Sequence, residues 1–339
     1  MKTFLAHLAA RLYRLDGWRR HLFSFAAGAA SALAFEPFRL FFLLLFGYAA
    51  LALLIDAAAE RRHPSRAAFA SGWWFGFGQF LAGLYWIGYA FMVDAADHAW
   101  QLPFVAVLFP GALALFPAFA ALAAEKFRRR GPARIFVFAI AFGLAEWLRG
   151  HLFTGFPWNI TAYGWGMLPA VMQSAAVFGS YGLSLLTILF GASLSLLVAP
   201  KPEWRFSAAM TAFFALLFAG GAVRMAAVNV ASVPGVALRI VQPNIPQAEK
   251  YRHALAKRNW RRLVDLTTAP AKRQPTVVIW PEAAPSFLLT YSPEAMAWID
   301  DLNRQGTLLM TGAVRFERDD GGEPHFYNSF YIFGPGEAR

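Results

Sequence analysis

The chain has 339 residues, 58% of them hydrophobic, 17% aromatic and only 15% charged, with a mean hydropathy of +0.42. That balance excludes a purely soluble core and describes a polytopic membrane protein. The formal charge of +11 is uneven: residues 1–227 carry 18 Lys and Arg against 9 Asp and Glu, and residues 228–339 carry 13 against 11. Basic residues beside apolar runs act as orientation signals, so nucleic acid is not an expected partner. The absence of cysteine excludes disulfides, thiolate metal sites and a cysteine nucleophile among these residues.

A helix that crosses the hydrocarbon core needs roughly 20 apolar residues. Seven runs meet or approach that length: about 21–35, 39–56, 67–93, 100–124, 134–148, 169–199 and 206–227. The first and fifth are short and are expected to borrow flanking residues or to tilt. The first run passes directly into the second, so it reads as a span, not a cleavable leader. One set of loops holds fifteen basic residues: Lys2, Arg11, Arg14, Arg19 and Arg20; Arg61, Arg62 and Arg66; Lys126, Arg128, Arg129, Arg130 and Arg134; Lys201 and Arg205. The alternate loops hold only Arg39 and Arg149. By the positive-inside rule the amino terminus is predicted to be cytoplasmic, and seven crossings place residues 228–339 outside the cytoplasm.

The texture changes after residue 227. Val236–Gln242 reads as a strand, His253–Thr268 as an amphipathic helix with a basic outer face, and Val277–Trp280 as a short, continuously apolar strand. Pro293–Arg304 reads as a second helix, Thr307–Phe316 as a strand, and Phe326–Phe333 as another strand after a turn at Asp319–Gly322. Alternating strand and helix predicts a layered α/β unit with partly parallel pairing. The expected organisation is thus a helical membrane domain over 1–227 and an α/β domain over 228–339.

Four features carry candidate chemistry. Glu282 follows the Val277–Trp280 strand and Pro281, which cannot donate to a ladder, so pairing should stop there. Its carboxylate would emerge at the carboxyl edge of the sheet, where open α/β folds bind ligands. The apolar neighbours Ile279, Trp280, Ala283, Ala284, Pro285 and Phe287 predict a poorly solvated acid suited to act as a general base. A solvent-facing acid or a helix cap is the alternative. The loop Gln242–Tyr251 is stiffened by Pro243 and Pro246; it either walls a site beside Glu282, with Tyr251 as an aromatic substrate contact, or merely connects. Glu146–Asn159 leaves the fifth run; Trp147, Trp158, Tyr163 and Trp165 suit the membrane interface, and Glu146 and Arg149, three apart on a helix, can pair. This segment reads equally as a mouth for lipid or as an interfacial loop. Gly72, Gly76, Gly78 and Gly83 predict close helix packing. The histidines show no metal-ligand spacing, so no metal or cofactor is expected.

Taken together in order, several motifs resemble the apolipoprotein N-acyltransferase family. They are Phe35-Glu36-Pro37-Phe38, Gly83-Leu84-Tyr85-Trp86, Glu146-Trp147-Leu148-Arg149-Gly150, Thr154-Gly155-Phe156-Pro157-Trp158, Gly179-Ser180-Tyr181-Gly182, Val241-Gln242 with Asn244-Ile245-Pro246-Gln247, and Trp280-Pro281-Glu282. The resemblance implies a polytopic α-helical bundle of about seven spans in the bacterial inner membrane. It also implies a nitrilase-like (carbon–nitrogen hydrolase) domain on the periplasmic face, of which 228–339 is the amino-terminal part, and a further span after it. It implies a two-step reaction: a fatty acyl group moves from a phospholipid donor to an enzyme cysteine, then to the α-amine of a diacylglyceryl-cysteine apolipoprotein. The family's triad is Glu, Lys and Cys, and Glu282 matches its glutamate, the base that activates the thiol. The chain departs from the family in carrying Tyr251 where tryptophan often follows the IPQ loop. It also departs in ending at Arg339, before the positions expected for the lysine and cysteine. The expectation is a carboxy-terminally truncated member, inactive as it stands. The competing reading is a non-enzymatic transporter or lipid-binding scaffold with an extracytoplasmic α/β domain; a bundle with an unfolded carboxy-terminal part is a third.

Overall fold

The computed structural model describes residues 10–93, 95–198, 203–228 and 231–334. Lys2 and Lys201, two of the fifteen orientation signals, lie outside the described residues, as does the last residue of the predicted 169–199 run. The chain divides into two compact units, Met1–Asn229 and Val230–Arg339.

The first unit is helical. Its principal helices are α1 (Gly17–Ala32), α2 (Phe41–Ala58), α3 (Pro64–Gly83), α4 (Leu102–Leu113), α5 (Leu115–Lys126), α6 (Ala133–His151), α7 (Ala175–Ser193) and α8 (Trp204–Ala227). Five segments among the described residues are long and apolar enough to cross a membrane: Phe41–Ala58, Ala95–Lys126, Ala133–Thr154, Ala175–Val198 and Trp204–Ala227. The 21–35 and 67–93 runs also fold as helices, α1 and α3, but fall short of that standard. α1 has 16 residues, about 24 Å at 1.5 Å per residue. α3 ends at Gly83 and gives way to a 3₁₀ turn over Tyr85–Ile87.

The reason for their low hydropathy lies in their contact. A Cβ on Gly28 would lie 1.9 Å from the Phe75 carbonyl oxygen, and one on Gly78 would lie 2.1 Å from that of Phe25. The two backbones therefore touch, and the small and polar residues that allow this depress the hydropathy of both helices. Ser24 Oγ donates to the Ser71 carbonyl at 2.6 Å within the same interface. Gly72 and Gly76 likewise pack on α5, beside Pro117 and Ala114. By contrast, only 22% of the most apolar stretch of α8 is buried within the unit. Leu216, Phe218, Val223 and Met225 face outward there, the surface a lipid-facing helix needs. The interior is filled by residues such as Leu44, Leu51, Phe75, Ile135, Phe138 and Ile188.

The second unit is a four-stranded sheet in the order β1 (Leu238–Ile240), β2 (Val277–Ile279), β3 (Leu308–Arg318), β4 (Pro324–Phe333). β1–β2 and β2–β3 are parallel, with Val278 opposite Arg239 and Leu309; β3–β4 is an antiparallel hairpin closed by the Asp319–Gly322 turn. The parallel pairs are joined through α9 (Ala256–Thr268) and α10 (Pro293–Arg304), the crossover that parallel strands require. α9 buries Asn259, Leu263 and Thr267 and exposes Lys257, Arg258, Arg261 and Arg262, as its amphipathic pattern predicts. α10 opens on a Ser292 cap that accepts from the Ala295 amide, followed by Pro293 in its first turn. The core joins Val278, Leu309 and Ala313 of the sheet to Leu263, Ile299 and Leu302 of the helices. The Gln242–Tyr251 loop, stiffened at its start by Pro243 and Pro246, contains a helical turn over Gln247–Lys250.

Candidate active site at the carboxyl edge of the sheet

Glu282 stands where β2 leaves the sheet. The Trp280 amide makes the last ladder bond, to the Met310 carbonyl at 2.8 Å. Pro281 follows with no N–H to give. The backbone then turns through Ala283 at φ +44° and regains β3 through the Ala284 amide, which donates to the Gly312 carbonyl at 3.0 Å. The Glu282–Ala283 peptide is thereby held across the face of β3. Only glycine fits beneath it: a Cβ at Gly312 would lie 2.7 Å from Glu282 Cα and 2.9 Å from the Ala283 nitrogen. Nothing in the sequence near Glu282 signals this requirement, since Gly312 comes thirty residues later inside a strand. An isolated strand glycine does, however, mark a close backbone approach.

The residue before the turn is locked in place. Trp280 is buried, its indole N–H donates to Thr267 Oγ1 at 2.8 Å, and its ring stacks on Trp298 at 5.8 Å with Trp260 edge-on at 5.5 Å. Ala284 and Leu289 beyond the turn are buried too. The Glu282 side chain itself is exposed. The poorly solvated carboxylate expected from its neighbours is therefore corrected: their apolar side chains enter the core, and the turn swings this one outward.

Two partners meet Glu282. Asn328, on β4, donates through its side-chain amide to Glu282 Oε1. Lys250, at the end of the short helical turn, donates to the Glu282 carbonyl oxygen at 3.2 Å. Its ammonium also lies 5.6 Å from the centre of the Tyr251 ring. Tyr251 is exposed. This loop is fastened to α9 by a Glu249–Arg258 ion pair and by Asn259, which donates to the Glu249 carbonyl at 3.4 Å. The structure thus brings the loop and the carboxylate together through Lys250. Neither Lys250 nor Asn328 is singled out by sequence, because Lys250 comes from the connection after β1 and Asn328 from strand β4, each far from Glu282 along the chain. The arrangement offers a water-accessible carboxylate with one oriented amide donor, which can take and return a proton.

In the first unit the Glu146–Arg149 segment behaves differently from the expected pair. Arg149 is buried, and its guanidinium donates to the carbonyls of Phe156 and Trp158 at 2.5 and 2.7 Å and lies 5.2 Å from the Phe80 ring centre. Glu146 Oε2 accepts from the Thr161 amide at 3.0 Å and hydroxyl at 2.7 Å. The two side chains make no direct ion pair among the described residues; each fastens part of the loop that follows α6. The chain folds back after the Leu152–Gly155 turn and brings two loop carbonyls, those of Phe156 and Trp158, onto the Arg149 guanidinium. Trp147, Trp158 and Tyr163 are exposed, as interfacial aromatics would be; Trp165, expected with them, is instead buried in the helical core, its indole N–H donating to Thr187 Oγ1 at 2.8 Å. The pair predicted from i, i+3 spacing is therefore replaced by two separate anchors.

An apolar helical unit and an α/β unit with a carboxylate at the end of a parallel strand define a membrane-associated protein with an enzyme-like sheet edge. Residues 27–193 match the family model described as the Apolipoprotein N-acyltransferase N-terminal domain. The chain is 43% identical over 343 residues to a Brucella melitensis protein named Apolipoprotein N-acyltransferase, covering 96% of this chain and 64% of that one. Proteins of the same name from Rhodopseudomonas palustris and Rhizobium meliloti are both 38% identical, covering 92% and 97% of this chain and 60% and 64% of their own length. The chain belongs to the apolipoprotein N-acyltransferase family, and it spans less than two thirds of the length of these relatives.

Proposed function

We propose that this chain carries the membrane bundle and the general base of a bacterial lipoprotein N-acyltransferase. In this reading a fatty acyl group passes from a phospholipid ester to a cysteine thiolate as a thioester, with release of a lysophospholipid whose hydroxyl takes up the thiol proton, and then to the α-amine of a diacylglyceryl-cysteine apolipoprotein as an amide, with release of the thiol. Glu282 takes the thiol proton in the first step and the amine proton in the second. General base catalysis of this kind contributes roughly 10²–10⁴-fold. Tyr251 offers an exposed aromatic face to the substrate. The 339 residues contain no cysteine, so they supply the base and not the thiol, and by themselves they form no thioester.

The seven-span topology belongs to the same proposal: amino terminus in the cytoplasm, residues 1–227 in the inner membrane, and residues 228–339 as the amino-terminal part of a periplasmic nitrilase-like domain. The parallel β1–β2–β3 order with helical crossovers supports that fold assignment. The observation that carries the function is the placement of Glu282 beyond the last ladder bond of β2, in a turn fixed by Gly312 and met by Asn328.

A transporter reading needs ionisable groups that face a pathway. Here Asp56 is buried in ion pairs with Arg134 at 2.8 Å and Arg128 at 3.4 Å, and Arg149 is spent on loop carbonyls. The deciding experiment takes a protein extended to the relatives' full length, with phospholipid and a diacylated lipoprotein peptide. Triacylated peptide in the mass spectrum, lost in Glu282→Gln together with the thioester, supports the proposal; near wild-type thioester formation by Glu282→Gln refutes the role of the base.

A further inference from the structure

A second polar feature lies at the other end of the sequence. Arg20, in α1, is 3% exposed. Its Nε donates to Ser71 Oγ at 3.0 Å and its Nη2 to the Leu54 carbonyl at 2.6 Å. The third nitrogen, Nη1, is buried without a hydrogen-bond partner among the described residues, and so is His21 Nδ1. A guanidinium cannot shed its charge to escape such a position, so an unmet donor there calls for an anion or water.

Arg20 and His21 form part of the wall of an open cavity of about 510 Å³, together with Arg61, Arg62, His63 and Arg66. Asp16 and Glu60 are the two carboxylates on its lining. Arg61 is partly engaged, 3.5 Å from Asp16 and donating to the Tyr13 and Leu15 carbonyls at 2.9 and 2.6 Å. Four arginines thus face two carboxylates, and Arg62 and Arg66 are exposed, with no ion pair among the described residues drawing on their charge. The cavity also meets the amino end of the 20-residue helix α3. Its first residue, Pro64, has no N–H, and its cap residue, His63, makes no side-chain capping bond. The positive end of that helix adds to the arginines.

The setting favours an amphiphile. The cavity lies among the arginine-rich loops of the helical unit, and Trp18 and Leu22, one turn apart on α1 and flanking Arg20, are 68% and 55% exposed. An apolar surface beside a cluster of arginines matches a phosphate with acyl chains attached better than a free ion. We propose that this cavity binds the phosphate group of an anionic phospholipid in the leaflet on the arginine-rich side of the helical unit. The recognised chemistry is the phosphate oxygens, held by Arg66 from the rim, with the charge of Arg20 behind them in the cavity wall. The inference rests on the membrane reading of the first unit and is independent of acyl transfer.

The test uses the purified 339-residue chain in a neutral detergent. Retention of phosphatidylglycerol is followed by native mass spectrometry, alone and with phosphatidylcholine or millimolar inorganic phosphate as competitor. One retained phosphatidylglycerol is expected, not displaced by equimolar phosphatidylcholine. Each of Arg20→Gln and Arg66→Gln should weaken retention about fivefold, the share of one basic side chain at an anionic lipid surface. Arg129→Gln, an exposed loop arginine outside the cavity, should stay within about twofold by the same reasoning. Because Arg20 is buried and its loss can unfold the unit, Arg66→Gln decides where Arg20→Gln does not fold. Displacement by inorganic phosphate with the same Arg66 dependence supports the phosphate as the recognised group. Phosphate binding that depends on Arg66 in a chain that retains no lipid overturns the lipid assignment and gives the site to the free anion. Equal retention by all variants, or equal loss in Arg129→Gln, overturns the site.

Discussion

Replacing Gly312 by alanine tests how the sheet presents Glu282. The added Cβ would stand 2.7 Å from Glu282 Cα and 2.9 Å from the Ala283 nitrogen, both backbone atoms that cannot rotate away. Reaching ordinary contact at 3.4 Å requires a displacement of about 0.7 Å, and forcing a methyl into packed structure typically costs 1–3 kcal/mol. The Ala284–Gly312 hydrogen bond at 3.0 Å is the element most directly stretched, and the Glu282 carboxylate moves with it. A misplacement of about 1 Å costs on the order of 10²-fold in catalysis. Gly312→Ala is therefore expected to speed exchange of the Ala284 amide and to lower thermal stability modestly. In a protein extended to the relatives' length, it should cut formation of triacylated peptide by on the order of 10- to 100-fold while Glu282 remains in place. Hydrogen–deuterium exchange and the acylation assay read the two effects separately. Unchanged exchange at Ala284 together with unchanged turnover would refute the reasoning that Gly312 holds the turn.

Three further outcomes are expected. Asn328→Leu removes the amide that meets Glu282 Oε1 and should lower turnover by roughly tenfold, one charge-assisted hydrogen bond being worth about 1.5–3 kcal/mol; steady-state kinetics at fixed peptide concentration measure it, and full activity would show that the contact does not position the base. Arg149→Met leaves the Phe156 and Trp158 carbonyls without their donor, Nη1 of Arg149, and should destabilise the helical unit by about 1–3 kcal/mol for each group left unsatisfied, seen as a lowered unfolding midpoint in detergent; a Lys substitution should recover part of it, because both bonds come from one nitrogen and an ammonium also offers several donors. The Asp319 carboxyl is held below its ordinary 3.8, first by the hydrogen bond with His325 and then by the Glu323 amide. A carboxyl lowered in the folded state contributes stability above its unfolded value and loses it as pH falls through the folded one. The β3–β4 turn should accordingly stay closed until below pH 3.8, followed by exchange of the Glu323 amide; opening at or above that pH would contradict the assignment.

The order of helices and strands was largely readable in the sequence because it rests on local periodicity. Pro281 ending the β2 ladder, the basic outer face of α9 and the Ser292–Pro293 start of α10 are all decided within a few residues of where they occur. What sequence could not supply is the set of contacts between residues that share no window. Gly312 lies 30 positions after Glu282, Asn328 lies 46 positions after it, and Lys250 lies 32 before it. The exposure of Glu282 was misread for the same reason: its neighbours are apolar by composition, yet the positive φ of Ala283 sends its side chain away from theirs. In the helical unit, α1 falls short of the five long apolar segments in length, with 16 residues, and α3 in hydropathy, a scale that scores a residue against lipid and not against a facing helix. Gly28 on Phe75 and Gly78 on Phe25 show that these two helices meet each other, and Arg20 bonded to Ser71 shows that their interface tolerates a charge. A helix that covers its polar residues with a partner needs less apolar surface to reside in a bilayer. The two segments that this standard leaves out are thus the two whose small and polar residues a neighbouring helix covers.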